Sequence, residues 1–247
     1  MDRLSLLIPE ETMIKSSDEI NDFVENDNGP VVDPVAKAIM NLMSTLLSDL
    51  TIFLSEKKLD QGQIQDVKVR AQDQVSYIVA IGIVDKLSSL CHSVRDPIDN
   101  KPEVAEFLLS SFKFLSSMTS LVEVLSVDQD PTHLWKAFEV TDLVGTIELL
   151  YGMLLHQGTP SRSGNTAPPK LPLLTLKVVK EVATLLHRII RQHLSMVQDV
   201  LSQEGISLEF RHIISYLLWY CQAHEETELM HEAITLCGYF AGTIEIY

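Results

Sequence analysis

From Asp33 onward, apolar side chains recur every three or four residues in one segment after another, and this period governs what the chain can become. Such a repeat builds helices with one apolar stripe, and the stripes must be buried against each other. Asp33-Pro34 supplies an N-cap and a proline at the first helical position. Val35, Ile39, Leu42, Met43, Leu46, Leu47, Leu50 and Phe53 follow at helical steps and predict a first helix over 34–57. A second is expected over 64–94, closed by Asp96-Pro97. Its middle, Tyr77 to Val84, has the composition of a buried strand, but apolar steps continue on both sides without turn signals. Further helices are predicted over 102–125, 140–156, 173–203, 207–222 and 225–240, with a short capped piece at 130–138 and Gly205 as a C-cap for the fifth.

Segments without that period divide the chain. Residues 1–33 carry nine acidic side chains against Arg3 and Lys15, a local charge of −7, and Asn-Asp-Asn-Gly-Pro at 26–30 is a strong turn signal. They are expected to form an acidic, largely disordered leader, with a short helix at 18–25 as its one candidate element. Residues 158–172 hold four prolines and two glycines, which fits a flexible loop between helical subdomains at 34–157 and 173–241, with a short tail at 242–247. The expected fold class is all-α, an armadillo- or HEAT-like helical-repeat solenoid of about seven helices, with a closed bundle as the competing topology. Unequal helix lengths and helices apolar round more than half their circumference favour the solenoid.

A chain of 247 residues can bury roughly 70–75% of its unfolded surface. The longest uncharged runs, Leu149–Ser161 and His212–His224, are 13 residues, short of the ~18 a membrane span needs, so no transmembrane segment is expected. The apolar run Leu4 to Ile8 is too short for a signal-peptide core, and three cysteines without a CxxC pair read as reduced thiols. Both point to the cytosol or nucleus. A net charge of −15 argues against general nucleic-acid binding, because phosphate affinity rests on Lys and Arg.

No glycine-rich phosphate loop and no GxSxG elbow occurs, so no catalytic residue and no cofactor is expected. His224-Glu225 and His231-Glu232 begin the HExxH zinc pattern, but Glu228 and Thr235 stand where the second histidine belongs. Cys221, His224, His231 and Cys237 form a looser set, so an all-α metal protein or enzyme using the His224/His231/Cys237 neighbourhood is the alternative to a non-catalytic scaffold. Two surfaces stand out as partner-binding candidates. At 100° per residue Lys177, Lys180, Thr184, Arg188 and Arg191 fall within an arc of about 80°, opposite an apolar face. This ridge is either a solvated helix face or a docking strip for phosphate, RNA or an acidic partner. The cluster Tyr216 to Tyr220, with Trp219 and Tyr220 as candidates, is either core or an interface hot spot.

The strings Leu173 to His187, Ile206 to Cys221 and His231 to Phe240 closely resemble the C-terminal helical region of the S-phase cyclin A-associated family of the endoplasmic reticulum, and the resemblance extends over roughly residues 30–240. It implies a non-enzymatic regulator of cell-cycle progression, linked to ribosome-associated decay of tubulin messages. The implied partners are a cyclin A/kinase complex or a ribosome-associated adaptor, and the implied location is cytoplasmic and peripheral to the endoplasmic reticulum, with the nucleus a second site. The chain lacks the family's zinc finger and coiled coil. Its last residues, Ala241 to Tyr247, depart from the family's continuing repeats, as a truncated form or fragment would, which predicts self-association or fraying near 225–247.

Overall fold

A computed structural model describes residues 34–55, 61–80, 101–125, 140–155, 167–192 and 194–244, together with Gly82. Among these the chain is all-helical. The helices are α1 (Pro34–Ser55), α2 (Gln61–Ala80), α3 (Pro102–Leu125), α4 (Val140–Leu155), α5 (Leu173–Gln192), α6 (Leu194–Leu201), α7 (Glu204–His224) and α8 (Thr227–Ile244).

The helix α3 is enclosed by α1, α2 and α5, and its composition explains how. Large residues alternate with Ser110, Ser111, Ser116, Ser117 and Thr119, all buried beside Phe107, Leu108, Phe112 and Met118. Small hydroxyl residues let a neighbouring backbone approach closely, provided the hydroxyls find partners. They do: Ser117 Oγ lies 2.9 Å from Ser44 Oγ and 3.1 Å from Ser48 Oγ on α1, and Thr119 donates to the Ser116 carbonyl at 2.8 Å. Ser111 Oγ reaches Met40 Sδ at 3.5 Å.

These contacts also give helix direction. Lys37 pairs with Glu106, Met40 with Ser111 and Ser48 with Ser117, so α1 and α3 run parallel. Arg188 bonds Ser116 and Arg191 bonds Glu123, so α3 and α5 run parallel, and Lys180–Glu228 with His187–Glu232 sets α5 parallel to α8. The four form one row. On its other side α4, α6 and α7 pack together, and Phe210 near the start of α7 meets Phe240 near the end of α8 with ring centroids 5.8 Å apart, an antiparallel pair.

Several boundaries differ from those expected. The fifth predicted helix is two helices, α5 and α6, and Gly205 does not cap it. The stop is the turn at Ser202-Gln203, where Gln203 is extended at φ −69°, ψ 125°. Gly205 sits instead in the first turn of α7, where a helix has no intrahelical N–H bonds to lose. α7 ends in the left-handed Glu225, φ 57° and ψ 34°, whose N–H returns to the Cys221 carbonyl, so the last helix starts at Thr227 and runs on to Ile244. The short piece at 130–138, the leader and most of the proline-rich segment lie outside the described residues, as does the second helix beyond Gly82. The end of that segment is held in place: Pro168 and Leu171 are buried against α7.

By length and composition alone α1 and α3 could each cross a membrane. Core helices meet the same criterion, and 72% of the apolar window of α3 is buried inside the protein, against 22% for α1.

Candidate functional site

The basic ridge of α5 exists as a helix face, but most of it is already engaged. Lys180 Nζ lies 2.8 Å from Glu226 and 3.4 Å from Glu228, and the Glu226 hydrogen bond outweighs burial to raise its pKa. The guanidinium of Arg188 donates to the Ser116 carbonyl at 2.6 Å and to its hydroxyl at 2.7 Å, and Arg191 pairs with Glu123. Lys177 is exposed and forms no ion pair among the described residues. The acidic strip that such a ridge would suit is therefore largely the chain's own, supplied by α3, by Glu226 just before α8 and by the first half of α8.

Two turns further along α5 the seam is more buried and tightly bonded. His187 Nδ1 lies 2.5 Å from Glu232 Oε2, Thr184 Oγ1 donates to the other carboxylate oxygen at 3.5 Å, and the rings of His187 and Tyr239 approach to 6.0 Å. The hydrogen bond from His187 pulls the Glu232 carboxyl below its ordinary range, against desolvation that pushes it up. Glu181, by contrast, is raised by burial, with Lys113 and Arg188 opposing.

The aromatic cluster divides. Tyr220 has no exposed surface, which removes it as a partner-binding residue; its hydroxyl accepts the Leu171 N–H at 3.3 Å, and burial raises its pKa. Trp219 is half-buried against the edge of Tyr216, with centroids 5.8 Å apart. Tyr220 and His224 thus act as a clamp on the end of the proline-rich segment, since His224 Nε2 sits 2.9 Å from the Pro168 carbonyl. The Nε2 edge of His224 is thus turned to the end of the proline-rich segment, and His231 is exposed on the next helix. Among the described residues no three His, Cys, Asp or Glu side chains converge as metal ligands. Cys221 is buried, and desolvation pushes its thiol up to about 11.

Sequence reasoning did not single out the pairing of α4 with α7. Tyr151 meets His212 edge to face at 5.2 Å, and Glu209 is raised by desolvation and then by Glu148. A carboxylate and an imidazole one turn apart on α7 were the visible signal, but nothing local shows that they face another helix.

No family model matches the chain, and no solved structure matches it. The S phase cyclin A-associated protein in the endoplasmic reticulum of Homo sapiens is 34% identical to it over 196 residues. The two are homologues. The match covers 75% of this chain and bears out the resemblance carried by its C-terminal strings. It covers 14% of the human cyclin A-associated protein, so this chain spans a small part of that relative's length.

Proposed function

We propose that this chain is a non-catalytic helical-repeat scaffold that binds protein partners, cyclin A among them, at the endoplasmic reticulum. The observation that carries the reading is the row of parallel helices α1, α3, α5 and α8. Their contacting residues stand at offsets of 69 to 73 between α1 and α3 and 68 to 72 between α3 and α5, and at a shorter 45 to 48 between α5 and α8. A parallel row with antiparallel helices beside it is the packing of stacked helix pairs, in which each unit contacts only its neighbours and leaves a continuous surface for partners. The cyclin and the location come from the name of the human relative. Cyclin association requires a surface rather than a cleft with converging acids and bases, and a scaffold of this kind supplies one.

The test is a titration of the full chain with purified cyclin A, with and without its kinase, at two salt concentrations. A saturable one-to-one complex in the micromolar range or tighter supports the reading. No complex under either condition removes cyclin A as a partner. Elemental analysis of the same preparation bears on the competing class, since stoichiometric zinc would revive the metal-protein alternative.

A further inference from the structure

Residues 167–172 read Ala-Pro-Pro-Lys-Leu-Pro and join no helix. Their three prolines fix φ at about −65°, and Ala167, Pro168 and Leu171, each preceding a proline, are pushed toward extended backbone. That combination gives polyproline geometry, a helix of about three residues per turn without internal hydrogen bonds. Burial keeps the same period: Pro168 and Leu171 are buried, while Ala167, Pro169, Lys170 and Pro172 are exposed. Among the described residues the segment's one main-chain to main-chain hydrogen bond comes at its end, where the Pro172 carbonyl accepts the Leu176 N–H and α5 begins.

The surface under the segment is a row of rings. Tyr216, Tyr220 and His224 stand one turn apart on α7, with Tyr216 and Tyr220 stacked at 6.2 Å between centroids and Tyr220 and His224 at 4.5 Å. Each buried residue of the segment meets one polar atom of that row. The Pro168 carbonyl lies 2.9 Å from His224 Nε2, and since a carbonyl only accepts, that nitrogen carries the proton. The Leu171 N–H donates to the Tyr220 hydroxyl at 3.3 Å. Residue 168 meets 224 and residue 171 meets 220, so the segment runs antiparallel to α7. One donor and one acceptor thus read a carbonyl and an N–H three residues apart. Polyproline backbone leaves both groups free, whereas an α-helix has already used them.

We propose that this row on α7 is a groove for proline-rich segments of the form Pro-x-x-Leu, and that residues 167–172 are its resident occupant, which a partner protein's segment of the same chemistry displaces. The seated segment itself shows what the groove accepts. Its fourth position has to be other than proline, because proline has no N–H for Tyr220. The two middle positions, Pro169 and Lys170, face solvent and are free to vary. Aromatic grooves are the general means of binding polyproline backbone, whose stiffness lowers the entropy lost on ordering. Tyr220 has no exposed surface while the segment is seated, so it meets no partner until the resident has left. The groove rests on the seated segment and is independent of cyclin A.

The experiment measures fluorescence anisotropy of a labelled peptide, Ala-Pro-Pro-Lys-Leu-Pro, against the full chain. The wild type is expected to bind it weakly, because a segment on the same chain competes at millimolar effective concentration. Leu171→Ser unseats the resident and should bind the peptide at least about tenfold tighter than the wild type does. Pro168→Gly, which leaves Leu171 in place, should gain at least about threefold and decides the matter where Leu171→Ser does not fold. Adding Tyr220→Phe or His224→Phe to either variant should remove the gain. A peptide with its leucine replaced by proline should bind at least about fivefold weaker, the loss of one hydrogen bond, whereas Ala-Pro-Ala-Ala-Leu-Pro should bind as the parent does. No gain in either unseated variant, or a gain that both Tyr220→Phe and His224→Phe leave intact, overturns the proposal. So does equal affinity for the leucine-to-proline peptide, which would make the row a nonspecific apolar surface.

Discussion

His187 on α5 and Glu232 on α8 meet at 2.5 Å, and their side chains are only 16% and 19% exposed. The pair closes the inner edge of the seam that holds the last helix to the row, beneath the Lys180 bridges to Glu226 and Glu228. The carboxyl of Glu232 is held below its ordinary value of 4.5. A group depressed in the folded state contributes stability that is present above its unfolded pKa and lost as pH falls through its folded pKa.

Glu232→Gln is accordingly expected to lower stability by about 1.5 kcal/mol near neutral pH, the size of a hydrogen bond to a charged group. The difference between wild type and variant should shrink below about pH 4.5, the ordinary value of Glu232, and vanish once the folded carboxyl is protonated. Thermal unfolding of both proteins from pH 7 to pH 3 measures it. A gap that is constant across that range would show that the carboxylate charge is not what joins α5 to α8.

Ser117 lies between Ser44 and Ser48 where α1 meets α3. Ser117→Leu should destabilise by about 1–3 kcal/mol through overpacking. Ser117→Ala strands a buried hydroxyl on Ser44, a penalty of about 1–3 kcal/mol, whereas Ser44→Ala/Ser117→Ala removes both partners and should be milder than the sum of the singles. Urea denaturation of the four proteins decides, and strict additivity would refute the coupling.

Arg188 is bonded to the backbone and side chain of Ser116, so it belongs to the framework that any partner would meet. Arg188→Ala is predicted to lose about 1–3 kcal/mol of stability, while Lys177→Ala, at an exposed position, stays within ±0.5 kcal/mol. Equal melting temperatures for the two variants would contradict the assignment.

Cys221, with its thiol pushed up to about 11, should resist alkylation in the folded protein at pH 7.5 and react only after denaturation. Peptide mapping by mass spectrometry after brief iodoacetamide treatment reads this directly. Tyr220→Phe, which deletes the acceptor for the Leu171 N–H, should speed hydrogen exchange at that amide about tenfold, the equivalent of ~1.4 kcal/mol, with little change elsewhere.

Helix existence was legible because its causes are local. Asp33-Pro34 and Pro102 start helices where the structure starts them, and the apolar steps of α3 and α5 match the sides that are buried. The apolar period was misleading at α1. Its wheel shows Ile39, Leu42, Leu46 and Phe53 as the natural core face, yet the packed face contains Ser44 and Ser48, because α3 offers serines at matching height. Gly205 read as a stop, since a glycine after an apolar run is a common cap, but the break lies two to three residues earlier, where the backbone of Gln203 turns extended.

The ridge of α5 separates the two kinds of information most clearly. By itself the sequence determined that Lys177, Lys180, Arg188 and Arg191 share a face, that the chain is helical, and that its leader is acidic, for all of these follow from a 3.6-residue period and a count of charges. Only the tertiary structure decided that three of those four cations are already paired, that Tyr220 is core, and that the apolar side of α1 faces outward. Those outcomes depend on which faces meet across 45 to 73 residues of chain, as at His187–Glu232 and Ser44–Ser117, and a contact at that separation leaves no trace in the local pattern of either helix.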